Sequence, residues 1–494
     1  MPKNHEKERV KRGRRYFLGN NVELFSLWSA LVGFAMLSVI RLRWAADMPA
    51  TWDEVDFVLA VDQFSLADMQ PHFPGYPYFI LGGMLLSFIT HSDTFALILW
   101  NHLILFSAVF PLYWLSKIWV SSLSGRLLAV GSVQLSSYVC IISSQPVSEG
   151  AALGVMWWYI WSLYWALKKT SLLKQALPFF LFSLLMGIRL SYLPLGIGLL
   201  LFMIWKHRDV YHTSILFISA CIFQWIWISA LVMSEGGIFT FLHLALSFTE
   251  GHFTEWGGAI TADQASAAGR FFRFIRNIGY SAAAGENWLL LLFFLGLCVY
   301  SLRKSQLRRL SKEEWMYAVM LLSYLVYAYT AQNTEKARHV LPVSSMILFA
   351  VFSCLGGIKK KGKMVLFLFL ILQTVNGFYL LQQARSENPA VYQMEEYIAS
   401  KRERAVLYTW EETRVLQYSK APFRHKRIET YAFFQEEIKQ DEKAKVYVTG
   451  KALAGFKSQN ASAENCARNI KNFSSSHLVD PVYHSITLYE WTCR

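Results

Sequence analysis

The chain has 494 residues, of which 54% are hydrophobic, 16% aromatic and 17% charged. Ordinary soluble domains carry about 25% charged residues, so this composition excludes a disordered chain and an ordinary globular one and suits a protein that uses lipid as solvent. The net charge is +14, yet the Lys and Arg residues cluster beside apolar runs instead of forming one stripe, so no nucleic acid partner is expected and the charge reads as a topology signal.

Met1 to Arg15 is basic and precedes a 19-residue apolar run, Leu24 to Leu42, that lacks a small-residue cleavage site. This predicts a cytoplasmic N-terminus over residues 1–23 and an uncleaved first span. Apolar runs follow at Thr94–Trp114, Leu127–Ser143, Ala151–Leu167, Ala176–Leu193, Leu195–Trp205, Ser214–Met233, Trp288–Leu302, Trp315–Thr330, Val340–Leu355 and Met364–Leu381. With eleven spans, the basic clusters at Lys117 and Arg126, Lys168 to Lys174, Lys206 and Arg208, Arg303 to Arg309 and Lys359 to Lys363 all fall on the cytoplasmic side. That parity requires Tyr76–Thr90 to be an interfacial or re-entrant helix, which its 15 residues and proline-rich entry favour.

The predicted fold class is therefore an α-helical polytopic membrane protein of about eleven transmembrane helices, residues 24–382, with a small C-terminal α/β extracytoplasmic domain, residues 383–494. Residues 43–93 and 234–287 form long outer loops. The first of these is expected to hold an amphipathic helix from Asp53 to Leu66 along the membrane surface. The second is expected to carry short apolar helices at Phe241–Phe248 and Phe271–Ile278 around a Gly/Ala-rich middle and to fold over a site. Strand-like runs Ala405–Trp410, Lys445–Thr449 and Ser485–Trp491 alternate with helical ones in the tail. Only Cys466 and Cys493 of the six cysteines lie in a polar region, where an oxidising compartment would let them pair.

Charges on the outer side need a reason, and four places stand out. Thr51-Trp52-Asp53-Glu54-Val55-Asp56 puts three carboxylates at a helix start; this is either N-terminal capping or a base, Asp53 or Glu54, that takes a proton from an acceptor hydroxyl. His72 sits among three prolines in Gln70–Pro77, and prolines explain the turn without explaining the histidine. Glu149 stands at the mouth of two spans, where capping competes with a functional role. Arg189, Lys336, Arg338 and His339 bring positive charge to the same face, against the positive-inside trend; a phosphate ligand accounts for them, and pairing with Glu149 or Glu335 is the plainer alternative. Arg270, Arg273 and Arg276, every third residue in the second loop, could meet lipid phosphate. No cofactor is certain; a divalent cation held by Asp53, Asp56, His72 and Glu149 is an open alternative without specific spacing.

In order and placement these motifs resemble the GT-C superfamily of membrane glycosyltransferases, particularly the protein O-mannosyltransferases and the bacterial aminoarabinose lipid A transferases. Asp53-Glu54 matches the acidic motif after span one, Pro71-His72-Phe73-Pro74 the His/Pro-rich turn, Glu149 the second acidic site, and Arg338-His339-Val340-Leu341-Pro342 the strip before a late span. The turn reads His-Phe-Pro-Gly where the family has His-Pro-Pro-Leu, and the second acid falls in Pro-Val-Ser-Glu. The resemblance implies a hexosyl- or pentosyltransferase of the plasma membrane. It would move a sugar from a polyprenyl-phosphate donor to a hydroxyl of a glycan, lipid or protein acceptor on the extracytoplasmic face. Asp53, with Glu54 second, would be the base, His72 and Glu149 would orient the acceptor, and Arg189, Lys336, Arg338 and His339 would bind the donor phosphate. A carrier or flippase for an anionic lipid would use the same outer arginines, and a scaffold presenting the α/β domain would use none of them.

Overall fold

The structure is a computed structural model describing residues 3–493 except 208, 256–257, 262–265, 306–309, 441–443, 460–462 and 481–482, with backbone alone for residues 3–22 and 305. The basic side chains of the N-terminus, Arg208, Arg308 and Arg309 lie outside the described residues.

Each of the eleven apolar runs falls on helix, with breaks at Ala108, at Leu135–Ser136 and at Arg189. Among the described residues, five helices are long and apolar enough to cross a membrane: Glu23–Arg43, Asp93–Ser116, Val210–Ser234, Ala337–Leu355 and Lys360–Ser400. Two bent pairs, Leu123–Gln134 with Ser137–Ser143 and Ala267–Ala283 with Trp288–Lys304, raise this to seven. The remaining runs are shorter or richer in aromatics; Leu172–Ile188 breaks at Arg189 before Leu190 starts the next helical stretch.

Members of the basic clusters are tied to neighbouring helix ends. Arg126 pairs with Glu23 at 3.2 Å, Lys363 donates to Ser122 and Ser124, Lys206 donates to the Leu167 carbonyl and Lys304 to that of Cys354. Satisfying those last carbonyls with Lys is what helix C-termini favour.

The first helix of the segment 43–93 runs from Trp52 to Asp62, four residues short of the expected end. It does not lie open along a surface. Phe57, Val58, Ala60 and Val61 enter the core of the bundle, while Val55 belongs to the core of the C-terminal domain. The helix is thus a wedge between the two, and its polar residues Glu54 and Asp56 are buried. Pro77–Thr90 is a 14-residue apolar helix with Leu81, Leu85, Phe88 and Ile89 exposed. A Cβ on Gly82 would fall 2.2 Å from the Trp100 ring, so glycine there permits the close approach of this helix to Asp93–Ser107.

Helices Ile238–Thr254 and Ala267–Arg276 occupy the second long segment. Arg270 is buried and donates to the carbonyls of Tyr329, Gly258 and Gln332, and Arg273 meets Glu335 at 3.0 Å. These two arginines bind the loop before Ala337–Leu355, which accounts for them without lipid phosphate.

The C-terminal domain holds one five-stranded sheet in the order β2-β1-β3-β5-β4: β1 Ala405–Thr409, β2 Arg424–Arg427, β3 Lys445–Thr449, β4 Ala467–Ser474 and β5 Ser485–Trp491. β1 pairs in parallel with β2 and β3, and β5 pairs antiparallel with β3 and β4. β1, buried along its whole length, sits between β2 and β3. Cys466 and Cys493 form a disulfide, tying the entry of β4 to the chain beyond β5.

Candidate functional site

An open pocket lies where the wedge helix, the bundle and the sheet domain meet. Its lining includes Asp53, Tyr138, Gln145, Lys336, Arg338, Glu411 and Tyr483. Asp53 is placed by the first turn of the wedge helix. Thr51 caps that turn, its hydroxyl accepting from Glu54 N, and Glu54 Oε2 accepts in return from Ala50 N at 2.5 Å, a reciprocal arrangement of the capping-box kind. The two adjacent acids therefore separate: Asp53 faces the pocket, and Glu54 is turned to the cap.

Five of the expected site residues form one network. Arg338 pairs with Asp53, and its Nε lies 3.2 Å from Glu149 Oε1. Lys336 Nζ is 3.6 Å from Asp53. Arg189 Nη2 reaches the same Glu149 oxygen at 3.0 Å and Nη1 donates to Ser148 at 2.9 Å. Glu149 is presented by a segment held from behind: Asn101 Nδ2 donates to the carbonyls of Gln145 and Val147, and its Oδ1 accepts from Ala151 N.

His72 belongs to an adjoining chain of contacts, with Asp56 as its partner and not Glu149. Its Nδ1 is 3.2 Å from Asp56 Oδ2 and its Nε2 3.0 Å from the Tyr76 hydroxyl. Phe248 from the second long segment stacks on the His72 ring at 6.3 Å, so that segment does reach the turn. His339 stands apart: its Nδ1 bonds the Asn333 carbonyl at 3.0 Å and braces the loop.

The electrostatics differ sharply among neighbouring carboxyls. Burial pushes Asp53 up, but Lys336 and Arg338 outweigh it and hold the carboxyl well below its ordinary range. Burial carries Glu54 up to about 8. Burial also raises Asp56, against the pull of His72 and Arg414, and raises Glu411 against the pull of Lys336. An anionic carboxylate and the half-buried cations Lys336 and Arg338 thus share one pocket, which can accept a proton at one point and an anion at another.

The sheet domain supplies residues that the sequence reading missed. Arg414 Nε binds Asp56 Oδ1 at 2.9 Å, and Tyr483 donates to Glu411 across the pocket. Glu411 follows the end of β1, and carboxylates just past the C-terminal end of a parallel strand are a usable signal. Nothing local marks Arg414.

For a cation, Asp53 and Glu149 are already bridged by Arg338, and Asp56 by His72 and Arg414. Among the described residues, His207, Asp209 and His212 are the group close enough to share an ion. They lie at the start of Val210–Ser234 and do not line this pocket.

The fold is similar to that of solved glycosyltransferases of the GT-C type. It is similar to the crystal structure of ArnT, an aminoarabinose lipid A transferase, from Cupriavidus metallidurans bound to undecaprenyl phosphate, with a TM-score of 0.56 at 9% identity over 94% of this chain and 97% of that one. Apo ArnT from the same organism gives 0.57 at 8% identity over 94% and 98%. The cryo-EM structure of the arabinofuranosyltransferase AftD from Mycobacteria gives 0.52 at 12% identity, covering 93% of this chain and 40% of that one. No family model and no curated protein match the sequence. At these identities the likeness is one of fold.

Proposed function

We propose that the chain is a membrane glycosyltransferase that moves a sugar from a polyprenyl phosphate to an acceptor hydroxyl. The observation that carries this reading is Asp53 held against Arg338 and Lys336 in an open pocket of a GT-C fold. A polyprenyl-phosphate donor agrees with the undecaprenyl phosphate bound to ArnT, whose fold this chain shares.

Donor phosphate meets Lys336, Arg338 and Arg189, for which Arg supplies bidentate bonds. Asp53 in its paired state is a weak base, because its cations stabilise the carboxylate. A donor phosphate competes for the same cations and loosens their hold on Asp53, so donor binding itself raises the basicity of the group. Asp53 then takes the acceptor O–H proton, the acceptor oxygen forms a bond to the anomeric carbon, and the bond from that carbon to the phosphate oxygen breaks. Polyprenyl phosphate leaves with the bonding pair as an anion facing the cations, with no acid needed to protonate it. Glu149 positions Arg189 and Arg338, and His72 with Asp56 supports the turn beside them. Glu54, spent on the cap, is the lesser base candidate, and His339 acts through the loop.

An extracytoplasmic sheet domain with a cytoplasmic N-terminus on an eleven-span chain is supported by the Cys466–Cys493 bond and by the basic clusters beside the apolar runs. Transfer from radiolabelled polyprenyl-phosphate sugars by membranes carrying wild type or Asp53→Asn, at equal abundance, tests the reading. We expect transfer by wild type and loss of it in the variant; equal transfer by both removes Asp53 as base. Lipid movement without transfer would instead favour a carrier.

A further inference from the structure

Beyond Gln145 from Asp53 lies a second pocket, lined by Trp44, Asp47, Glu54, Gln145, Arg385 and Val479 among others. Gln145 and Val479 line both pockets, and the consecutive residues Asp53 and Glu54 line one each. We infer that this second pocket is the acceptor subsite and takes an uncharged, hydroxyl-rich headgroup of the carbohydrate type. The inference rests on the transferase reading above and names the acceptor class for it.

The Gln145 backbone is fixed by Asn101, and the residue is 4% exposed, with an amide nitrogen that has no hydrogen-bond partner among the described residues. A buried donor left unpaired costs about 1–3 kcal/mol, and a ligand hydroxyl between the pockets removes that cost. Glu54 has one oxygen committed to Ala50 N. Raised to about 8 by burial, it is mostly protonated near neutrality and offers an O–H donor instead of a charge. Trp44, 36% exposed, adds an amphipathic aromatic surface of the kind sugar rings pack on.

Charge decides between a neutral headgroup and an anionic one. The cation of this pocket, Arg385, is committed to Asp47 and the Ala45 carbonyl at 2.9 and 2.8 Å. Asp47 and Glu387 add negative charge at the wall. The first pocket sets two cations, Lys336 and Arg338, beside its carboxylates Asp53 and Glu411. Two adjoining pockets, one with two cations at its wall and the other with a single cation among acids, would sort a phosphate-bearing donor from an uncharged acceptor. The second pocket lies where the first span ends, at Arg43, and where Leu381 and Ala384 approach the end of Lys360–Ser386, so a lipid-borne headgroup could enter with its chain between those helices.

The test is equilibrium binding of tritiated hexyl β-glycosides (gluco, galacto and manno) to the purified full chain in phosphatidylcholine nanodiscs, with methyl glycosides and hexyl phosphate as competitors. Saturable binding of at least one hexyl glycoside is expected. It should be about tenfold weaker in Gln145→Leu and in Trp44→Ala, since a tenfold change equals the 1.4 kcal/mol within reach of one buried hydrogen bond, and unchanged in Arg338→Ala. Hexyl phosphate should not compete. Preference for hexyl over methyl glycoside marks a lipid-borne acceptor, and equal binding a free glycan. No saturable binding, binding indifferent to both pocket variants, or competition by hexyl phosphate overturns the subsite. Undecaprenyl phosphate binding in the same discs is the separate readout of the transferase reading. If it depends on Arg338 while glycosides fail, the subsite falls and that reading stands; if glycosides bind and undecaprenyl phosphate does not, the reverse holds.

Discussion

Arg414 of the sheet domain donates its Nε to Asp56 of the wedge helix, 358 residues away in sequence, at 2.9 Å. The same guanidinium donates to the carbonyls of Asp68 and Met69 and lies over the Trp52 ring. One side chain thus joins the domain, the helix that carries Asp53 and the turn that carries His72. Asp56 is fully buried, and breaking a buried pair by removing one partner costs about 3–5 kcal/mol. Arg414→Ala should therefore lower the Tm by several degrees and slow transfer. Arg414→Lys, which keeps the charge but loses the fork, should recover the Tm in part. Thermal unfolding and transfer kinetics on the two variants check this.

Asp53 should govern the acid limb of the pH profile. Lys336 and Arg338 hold its carboxyl below the ordinary range, so kcat/KM should persist to low pH and fall only when Asp53 protonates. Lys336→Met removes one of the two cations, and the acid limb should move to higher pH while the donor KM rises. A limb that stays in place in this variant would assign the titration to another group.

Glu149 receives Arg189 and Arg338 on a single oxygen at 3.0 and 3.2 Å. Glu149→Gln leaves the buried Arg189 without its counterion and Arg338 with Asp53 alone, so the expected loss is in stability as well as in activity, again about 3–5 kcal/mol. An anion that binds the folded protein alone stabilises it by mass action. Undecaprenyl phosphate should therefore raise the Tm more in Glu149→Gln than in wild type. Thermal unfolding with and without the lipid measures the difference.

The site was legible where charge is costly. Arg189, Glu149, Lys336 and Arg338 stand out beside apolar runs because an ionised group there requires a partner, and Glu149 pairs with the two arginines while Lys336 pairs with Asp53. Arg270 stood out for the same reason, but its partners are backbone carbonyls, which no sequence pattern reveals. The wedge helix was misjudged as a surface element because Glu54 and Asp56 look like solvent-facing residues; the cap and Arg414 that satisfy them are contributed by the local backbone and by a distant segment. In the sheet domain, β1 and β3 are apolar and readable, whereas β2, Arg-His-Lys-Arg, and β4 are polar strands at the two sheet edges. Edge strands carry such charges to discourage further pairing, and that removes the periodic apolar signal.

Glu54 should make the protein less stable as pH rises. Its folded value, about 8, lies above its ordinary 4.5, so between those values the unfolded chain has released the proton while the folded chain retains it. Stability then falls with increasing pH across that window and levels off above it, by an amount on the order of 5 kcal/mol. This sign is opposite to that of Asp53, whose lowered carboxyl loses its contribution as pH falls. Glu54→Gln keeps an oxygen for Ala50 N and removes the titration, so it should flatten the dependence and unfold at a higher temperature than wild type at pH 8. At pH 5 the two proteins should nearly coincide. Tm measured at both pH values decides it, and equal slopes for the two proteins would mean that Glu54 is ionised in its cap.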